Sequence, residues 1–469
     1  MSSPQGVARS NGRKSLEWAK KFRRSFPSQT STSSSSSLPI APNSGFRGRA
    51  PIVGMKGWLE CLGYDAEIIN GLNVIHVAGT KGKGSTCAYV DSLLRANARR
   101  KGVDLKVGMY TSPWLQPQNR IRINSEPISE ELFLERGREV ERKLGLDNPS
   151  PGIKLPGFLQ MIALTAFHTF IEAKVDVVIC EVHHGGEFDA TNFIERPVIT
   201  AITKIGIDHV DNLGGSLEHI AWHKSGIFKE KVPAFSVQQA PAAENKLRDR
   251  AKEKNVPLHF VKADTQAATL KSIPLEQQEN CALAIQIVRG FLQRDKGSLE
   301  NPDIKAGVES CYFPGRYEII NSRGCTWYVD GAHNETSLEQ AAKWYKRVAD
   351  ASATRVLIFA NFSDKRTRDW AKLLDKLGHC LESLQMSAHH VIFVREIEFD
   401  NHFSITEEQL DEYADHWANK WPSSTVQKVG RVKEVLNMAE IIRNGAQILV
   451  TGSLYLGEEA LGILKDKCT

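Results

Sequence analysis

The sequence predicts an α/β protein of two domains, each with a mostly parallel β-sheet. Short apolar runs recur along the chain, for example at residues 175–182 and 198–205, and segments with apolar residues three and four positions apart lie between them. Strands that alternate with helices form parallel sheets, which bind ligands at the carboxyl ends of their strands. The 469 residues are sufficient for two separate cores.

Composition and cysteine spacing exclude several classes of protein. Hydrophobic residues make up 41% and charged residues 25% of the chain, as in ordinary soluble globular proteins. The eight cysteines include no C-x-x-C pair, which argues against a disulfide scaffold and a zinc site and for reduced thiols inside the cell. No apolar run approaches the ~20 residues of a membrane span.

Residues 1–50 differ from the rest of the chain and are predicted to be a disordered leader, in which residues 15–26 could form one or two basic amphipathic turns. They contain nine Lys/Arg and a single acid, Glu17, so the remaining residues carry a net charge of −3 and offer no case for nucleic-acid binding. The leader is rich in Arg and Ser, as in a mitochondrial transit peptide, and a plain disordered tail is the alternative. The predicted location is cytoplasmic, mitochondrial or both, and removal of residues 1–50 is expected to leave the activity intact.

The first folded domain is predicted to span residues 51–298, and a polar break with Gly and Pro separates it from a smaller, Rossmann-like α/β domain at residues 299–469. In the first domain, strands are predicted at residues 74–78, 106–110, 175–182, 198–205 and 234–237, and helices at 52–62, 129–143, 158–173, 217–228 and 275–292. In the second domain, strands are predicted at residues 326–329, 355–360, 390–394 and 447–450.

The turn after the strand at residues 74–78 is the most informative motif. Glycines allow a tight turn that points backbone N–H groups inward, and the helix that follows presents its positive end to an anion. Lys83 adds a cation that can reach a terminal phosphate. The first domain is therefore predicted to be P-loop ATPase-like, with a nucleotide phosphate loop formed by Gly79, Gly82, Lys83, Gly84, Ser85 and Thr86.

This loop departs from the strict pattern G-x-x-x-x-G-K-[ST]. Val77 stands where the pattern has glycine, and Gly84 stands where it has a hydroxyl. The loop is therefore a compact form, with the hydroxyls displaced to Ser85 and Thr86. The alternative is a glycine-rich turn that binds no ligand.

Three polar residues, Ser112, Glu181 and His209, follow or end predicted strands. In a doubly wound sheet they converge beside the phosphate loop, where a hydroxyl, a carboxylate and an imidazole can hold Mg²⁺ together with water and nucleotide phosphates. Each residue alone would be a turn residue or a helix cap. Their joint placement is what predicts a metal site.

Three further segments contain charged residues. Lys224 lies on a predicted helix that ends near Gly226, where a lone lysine is usually solvated. In the second domain, Arg316 follows Pro-Gly, and Asp330 begins an Asp-Gly-Ala-His turn that contains His333. Such a turn can bring a carboxylate and an imidazole to a site, and an ordinary Asp-Gly loop is the alternative.

Together these segments resemble the folylpolyglutamate synthase branch of the Mur ligase family of ATP-dependent amide ligases, across residues 51–469. The combination is specific because the segments occur in the family's order and approximate spacing. The segments that carry the resemblance are residues 76–86, 110–113, 120–124, 127–129, 185–192, 206–209, 330–333 and 451–456.

The resemblance implies roles for individual residues. The ATP phosphates would be held by Gly82, Lys83 and Ser85. Mg²⁺ would be bound by Ser112, Glu181 and His209. Lys224 matches a lysine that is carbamylated in the family and supports a second Mg²⁺. The remaining matches are Gln277 and Asn280 near the adenine, Arg316 at a phosphate, and Asp330 and His333 at ATP and the active site. The residues expected to take part in catalysis are Lys83, Lys224, Asp330 and His333.

Four departures from the family pattern lie in loops on the substrate side. Trp114 stands where histidine is usual, and the loop at residues 115–120 is one residue short and lacks the usual Arg-Glu-Arg run. Glu276 replaces the histidine of His-Gln-x-x-Asn, and Asn334 stands where threonine is common. The residues matched to ATP and Mg²⁺ are intact.

The resemblance implies a ligase that joins the γ-carboxylate of a folate to the amine of L-glutamate through an acyl phosphate. The expected ligands are ATP, L-glutamate, a folate or another carboxylic acid, and Mg²⁺, with K⁺ as a candidate monovalent cation, and the protein is expected to be a monomer. One alternative is a paralogue that acts on a non-folate acid. The other is a nucleotide-binding protein without ligase activity, against which the intact metal set argues.

Overall fold

The computed structural model divides the chain into two compact units, of which unit 1 comprises Met1–Ile273 and Gln277–Tyr312, and unit 2 comprises Pro274–Glu276 and Phe313–Thr469. The residues that the structure describes are 13–23, 50–111, 116–147, 155–262, 275–362, 369–397, 404–435, 438 and 445–465. Within these ranges, no helix is long and apolar enough to cross a membrane.

Unit 1 is built on an eight-stranded sheet. In chain order its strands are β1 (Ile75–Ala78), β2 (Val107–Tyr110), β3 (Ile121–Ile123), β4 (Glu126–Pro127), β5 (Val177–Glu181), β6 (Ile199–Ile202), β7 (Ala234–Val237) and β8 (Leu258–Val261). The strand order is β4-β3-β2-β5-β1-β6-β7-β8, with β2 and β5 to β8 running parallel to β1 and only the β2–β3–β4 pairings antiparallel among the described residues. The centre of the sheet is therefore a buried parallel core with β1 between β5 and β6.

Helices cover this sheet. They are α1 (Arg13–Arg23), α2 (Met55–Cys61), α3 (Ala66–Gly71), α4 (Lys83–Lys101), α5 (Glu130–Lys143), α6 (Phe158–Glu172), α7 (Val210–Leu213), α8 (Leu217–Lys224), α9 (Pro241–Glu253), α10 (Gln278–Gln293) and α11 (Asn301–Glu309). Short 3₁₀ turns occur at Pro117–Arg120, Ala190–Phe193, Ser225–Ile227 and Leu275–Gln277.

Helix α1 corrects the prediction of a disordered leader over residues 1–50. Trp18, Ala19 and Phe22 recur three and four positions apart and are buried in one core cluster with residues of α5 and α6. Gly137 of α5 leaves room for the indole, because a Cβ at that position would lie 2.7 Å from the Trp18 ring. The remainder of the leader, residues 1–12 and 24–49, lies outside the described residues. Removal of residues 1–50 would also remove α1, so the expectation that such a truncation leaves the activity intact no longer holds for residues 13–23.

Helix α11 moves the boundary of the first unit beyond the predicted residue 298. Gly307 of α11 packs closely on α4, where a Cβ would lie 2.8 Å from Leu93, and the Ser92 hydroxyl donates to the Gly307 carbonyl at 2.6 Å. Asp303 accepts a hydrogen bond from Asn97 at 2.8 Å. The Gly and Pro of residues 297–302 therefore mark a turn between two helices of the same unit.

Unit 2 has a six-stranded sheet of order β13-β12-β11-β14-β10-β9, in which only the β9–β10 pairing of the described strands is antiparallel. Its strands are β9 (Glu318–Ser322), β10 (Cys325–Val329), β11 (Arg355–Phe359), β12 (His390–Val394), β13 (Thr425–Val429) and β14 (Gln447–Thr451). Its helices are α12 (Glu335–Val348), α13 (Trp370–Ser383), α14 (Glu407–Lys420), α15 (Val432–Val435) and α16 (Leu454–Lys465). The predicted α/β class with two mostly parallel sheets is confirmed.

Candidate active site

The phosphate loop begins where β1 ends, at the centre of the unit 1 sheet. Gly79 has a φ of 150° and Gly82 a φ of 85°, a region that favours glycine. The amides of Thr80 and Lys81 donate to the carbonyl of Lys204 at 2.9 and 3.2 Å. The loop is thus held against the segment that follows β6.

Both glycines also allow close packing. A Cβ at Gly79 would lie 1.8 Å from Oγ1 of Thr203, and a Cβ at Gly82 would lie 2.1 Å from Oδ1 of Asn280. Asn280 in turn donates from Nδ2 to Oε1 of Gln277 at 2.9 Å. The structure therefore brings Gln277 and Asn280, the predicted adenine-side residues, next to the phosphate loop.

Helix α4 begins at Lys83, so that Gly84, Ser85 and Thr86 lie in its first turn, where most backbone N–H groups have no partner within the helix. The amide of Thr86 donates to the carbonyl of Gly82 at 2.8 Å. The Thr86 hydroxyl is buried and has no hydrogen-bond partner in the described part of the chain. The start of α4 therefore offers donors suited to an anion.

Lys83 faces the end of the neighbouring strand. Its Nζ lies 3.7 Å from Oε1 of Glu181, and the two side chains are 15% and 4% exposed. Glu181 is the last residue of β5 and pairs in register with Val77 of β1. Because these strands are parallel neighbours, a cation and a carboxylate meet at the same edge of the sheet.

Lys224 reaches the phosphate loop from the end of α8. Its Nζ donates to the carbonyl of Gly79 at 2.7 Å, and the residue is buried. Burial, followed by the charge of Lys83, lowers the pKa of Lys224 to about 7, although Asp208 and Asp189 oppose the shift. Much of the population therefore carries a neutral amine at neutral pH.

Close contact between two loops positions Lys224. A Cβ at Gly186 would lie 2.5 Å from the His223 carbonyl, and a Cβ at Gly226 would lie 2.2 Å from Cα of Glu187. The amide of Glu187 donates to the His223 carbonyl at 2.7 Å. Glycine at these two positions lets the turn after β5 lie directly against the end of α8.

His209 has a φ of 51°, a left-handed conformation that is uncommon outside glycine and marks local strain. Its ring centroid lies 4.6 Å from that of His184, at an interplanar angle of 63°. Ser112 lies outside the described residues. Among those described, no group of three or more His, Cys, Asp and Glu side chains is arranged to hold a metal ion. The ligand set of Ser112, Glu181 and His209 therefore stays a prediction.

Asp189 organises the turn after β5, although the sequence pointed to it only as part of a motif. Its carboxylate accepts hydrogen bonds from the amide of His184 at 2.8 Å and from the amide of Thr191 at 2.9 Å. Burial raises the pKa of Asp189, but His183 and these amides outweigh burial and hold it well below its usual range. His183 also contacts the hydroxyl of Tyr110, at 2.6 Å from Nε2. The signal in the sequence that could have identified this turn is the series of polar residues that follows the buried strand β5.

In unit 2, Asp330 follows β10 and organises a turn. One carboxylate oxygen accepts from the amide of Tyr317 at 3.1 Å, and the other accepts from the amide of Ala332 at 3.0 Å. A Cβ at Gly331 would lie 2.7 Å from Nη1 of Arg316. The Asp-Gly turn and Arg316 are therefore packed together within this unit.

His333 completes the same cluster. Its Nδ1 lies 2.8 Å from the carbonyl of Gly331, and its amide donates to Oγ of Ser337 at 3.2 Å. Asn334 caps α12, because its Oδ1 accepts from the amide of Ser337 at 3.1 Å. The threonine that is common in the family at this position can also cap a helix, so Asn334 keeps the same local structure. Arg316, Asp330 and His333 thus lie together in unit 2.

The other departures are described in part. Trp114 lies outside the described residues. Glu276 belongs to the turn Leu275–Gln277, and its side chain lies outside the described part of the structure. In the shortened loop, Gln118 and Arg120 are buried, at 5% and 4% exposed. This loop is therefore packed into unit 1.

Comparison with known proteins identifies the family. Residues 159–322 match the Mur ligase middle domain, and residues 315–454 match the Mur ligase glutamate ligase domain. Folylpolyglutamate synthase of Neurospora crassa is 35% identical over 453 residues, which cover 88% of this chain and 85% of that protein. The chain belongs to the folylpolyglutamate synthase family. The mitochondrial folylpolyglutamate synthase of Homo sapiens is 35% identical over 362 residues, or 70% of this chain and 60% of that protein.

Solved structures of the folylpolyglutamate synthase family have the same fold. The Mycobacterium tuberculosis enzyme, complexed with ADP and AMPPCP, has a TM-score of 0.71 at 24% identity and covers 87% of this chain and 94% of its own. The bifunctional folylpolyglutamate synthase/dihydrofolate synthase of Yersinia pestis, complexed with AMPPNP and a Mn ion, has a TM-score of 0.72 at 23% identity and covers 99% and 100%. The predicted fold and the prediction of a ligase of this family are confirmed.

The residues at the strand ends have the chemistry to bind a divalent cation. Mg²⁺ binds oxygen atoms and usually retains water, so one or two carboxylates together with substrate phosphates are sufficient. Glu181 supplies a buried carboxylate beside Lys83, and the Thr86 hydroxyl is an uncommitted oxygen at the start of α4. The chemistry of these donors therefore suits a hard cation held between the protein and a nucleotide.

Proposed function

We propose that this chain is an ATP-dependent ligase that adds L-glutamate to the γ-carboxylate of folates and folate polyglutamates, releasing ADP and phosphate. The observation that carries the proposal is the pairing of Lys83 with Glu181 beside a glycine-rich loop, in a chain 35% identical to a folylpolyglutamate synthase over 88% of its length. A phosphate loop that faces a carboxylate is what phosphoryl transfer requires.

The reaction follows from the poor reactivity of a carboxylate toward amines. A carboxylate oxygen of the folate attacks the γ-phosphorus of ATP, the bond from that phosphorus to the ADP oxygen breaks, and an acyl phosphate forms. The amine of glutamate then attacks the acyl carbon, phosphate leaves with the electron pair of the C–O bond, and the amine proton passes to solvent. Lys83 and the N–H groups of the loop stabilise the negative charge during phosphoryl transfer.

The metal role is assigned to Ser112, Glu181 and His209. When bound, Mg²⁺ supplies Lewis-acid polarisation of the phosphate oxygens. Glu181 would hold it from β5 and His209 from the start of α7, and the strained backbone of His209 supports a functional role for that residue. A monovalent cation such as K⁺ is a further candidate at the same edge of the sheet.

Lys224 is proposed to be carbamylated. A neutral amine attacks carbon dioxide, loses a proton and becomes a carbamate, which exchanges a potential cation for an anion. The pKa of about 7 supports this chemistry, since a lysine with its ordinary pKa of 10.5 would be almost entirely protonated. The hydrogen bond from Nζ to Gly79 supports an action next to the phosphate loop.

The remaining assignments divide between the units. Gln277 and Asn280 are proposed to lie near the adenine, which the closeness of Asn280 to Gly82 and its hydrogen bond to Gln277 support. Arg316 is proposed to bind a phosphate, and Asp330 and His333 to act on ATP and at the active site. The packing of these three residues in unit 2 supports a joint role.

The proposed location is the cytoplasm, the mitochondrion or both, and the names of mitochondrial relatives such as the Homo sapiens enzyme support the second. The protein is proposed to act as a monomer.

The experiment that tests the function is mass spectrometry of products after incubation with ATP, L-glutamate and a panel of folates. Extension of a folate by glutamate, with equal release of ADP, is the expected result. A second candidate, a ligase for a non-folate acid, is favoured by Trp114 and the shortened loop at residues 115–120. A variant with histidine at position 114 and a full-length loop should use folate better, and inactivity of both proteins on every folate, with ATP still bound, would favour the second candidate.

A further inference from the structure

Helix α1 is joined to unit 1 by buried hydrogen bonds as well as by apolar packing. The amide of Ser15 donates to Oε1 of Glu130 at 2.8 Å, and its hydroxyl donates to Oε1 of Gln118 at 2.8 Å. Nε1 of Trp18 donates to Oε2 of Glu141 at 3.0 Å. All five residues are less than a tenth exposed. Because buried polar groups are costly to leave unpaired, these bonds specify one docked position of the helix.

Gln118 belongs to the turn Pro117–Arg120, which leads into β3. Its Nε2 donates to Oε1 of Gln116 at 3.0 Å, so that both ends of the amide are engaged. The turn is closed by a hydrogen bond from the amide of Thr111 to the carbonyl of Arg120 at 2.9 Å. Ser15 therefore bonds to a turn that is itself bonded to the residue after the carboxyl end of β2.

The turn is connected to the phosphate loop through two strands. Ile121 pairs in register with Tyr110 at the end of β2. The Tyr110 hydroxyl lies 2.6 Å from Nε2 of His183, which follows the last residue of β5 by two positions. That last residue, Glu181, faces Lys83. A continuous series of contacts thus leads from α1 to the phosphate loop.

The position of this turn in the sheet determines which substrate it can serve. In the proposed function the nucleotide phosphates bind at the loop after β1, where Asn280 lies against Gly82 and donates a hydrogen bond to Gln277. The other side of β1 is bordered by β5 and then β2, and the Pro117–Arg120 turn follows the end of β2 along the chain. An acid that accepts the γ-phosphoryl group has this side available to it.

We propose that helix α1 is a positioning element for the carboxylic-acid acceptor, and that Ser15 acts as the positioning residue by holding Gln118 and the Pro117–Arg120 turn. The inference rests on the proposed function, because only a ligase has an acceptor acid to position. The helix therefore contributes to binding of the acceptor acid as well as to stability. The bond from Ser15 ends at the turn, whereas the nucleotide uses the loop after β1, so loss of this bond should act on the acceptor acid and not on the nucleotide.

The first experiment compares the full-length Ser15→Ala variant with Lys14→Ala, which changes an exposed neighbour on the same helix. Loss of one hydrogen bond should raise the KM for tetrahydrofolate about two- to tenfold in Ser15→Ala, with kcat and the KM for ATP unchanged. Lys14→Ala should leave all three values unchanged. Equal rises in both KM values, or no change in either, would overturn the proposal.

Two further variants separate positioning from general loss of stability. Gln118→Ala removes the same hydrogen bond without altering α1, and it should reproduce the acceptor effect. The double variant Ser15→Ala/Gln118→Ala should be no worse than Gln118→Ala alone, because both changes act on one bond. Additive effects on the KM for tetrahydrofolate would contradict a role of Ser15 through Gln118.

A measurement independent of turnover keeps this proposal distinct from the proposed function. Hydrogen exchange of the Thr111 and Asn119 amides should accelerate in Ser15→Ala relative to wild type and Lys14→Ala, since the Thr111 amide donates to Arg120 of the turn and the Asn119 amide donates to Gln116 beside it. Unchanged exchange would reject the holding of the turn by Ser15. A wild-type protein that extends no folate would reject the proposed function, and the exchange result would still decide the role of Ser15.

Discussion

Nζ of Lys83 lies 3.7 Å from Oε1 of Glu181, so the first residue of α4 meets the last residue of β5. Both side chains are largely buried, which limits the screening of their charges by water. In the proposed reaction the two charges have different uses, since the cation faces phosphate oxygens and the carboxylate faces a metal. The pair therefore places a positive and a negative side chain next to each other at one edge of the sheet.

Lys83→Ala should abolish measurable turnover, which means a fall in kcat of at least ~10²-fold, because the loop loses the cation that stabilises the transferring phosphoryl group. ADP release with tetrahydrofolate and glutamate measures the effect. Lys101→Ala is the matched control, since Lys101 is exposed in the last turn of the same helix. Wild-type turnover in a folded Lys83→Ala protein would contradict the phosphate-loop assignment.

Glu181→Gln keeps the shape of the side chain but removes its charge, so activity should fall and the concentration of Mg²⁺ at half-maximal activity should rise. A Mg²⁺ titration of ADP release measures this shift. Glu195→Gln changes a half-exposed carboxylate paired with Lys56 and serves as the control. If the titration curve of Glu181→Gln matched that of wild type, the metal would have to be bound elsewhere.

The lowered pKa of Lys224 predicts how stability depends on pH. Between pH 7 and the ordinary lysine pKa of 10.5, the unfolded chain binds a proton at this residue that the folded chain largely lacks. The free energy of unfolding should therefore increase with pH in this window, by about 2 kcal/mol from pH 7 to about pH 9. Urea unfolding in buffers free of carbon dioxide should reveal this increase in wild type and in Lys101→Met, but not in Lys224→Met. The same slope in all three proteins would refute the assigned pKa.

Gly226→Ala should disrupt the site although it replaces no charged residue. The new Cβ would lie 2.2 Å from Cα of Glu187, a backbone atom, so the two loops must separate and move Lys224 away from Gly79. We expect a loss of stability of about 1–3 kcal/mol and a larger loss of activity. Gly57→Ala lies in helix α2 with no atom within 4 Å of its new Cβ, and this control should be neutral or slightly stabilising. Thermal unfolding and ADP release together test this, and an active Gly226→Ala enzyme would contradict it.

The sequence was most informative where local chemistry and the fold agree. The glycines, Lys83 and the apolar run of β1 all indicated a strand, a turn and a helix, and the structure has these elements. Strand β7 at Ala234–Val237 and strand β12 at His390–Val394 were predicted with the bounds observed, because each is a short apolar run. The juxtaposition of Lys83 and Glu181 followed from the parallel neighbours of β1.

Other features depended on contacts that the sequence does not display. Strands β9 and β13 were missed because their side chains are only partly buried, which weakens their apolar pattern. Helix α1 was assigned to a disordered leader because its basic composition resembled a targeting segment, whereas its burial depends on Gly137 far along the chain. Asp189 was not selected because its importance comes from the amides that surround it.

The position of α1 limits how one gene product could serve two compartments. A chain that began after Arg23, or was cleaved there on import, would leave the apolar surface of α5 and α6 uncovered where Trp18 and Phe22 now pack. Such a surface promotes aggregation. A protein that served both compartments would need Arg13–Arg23 in each of its forms to keep this surface covered.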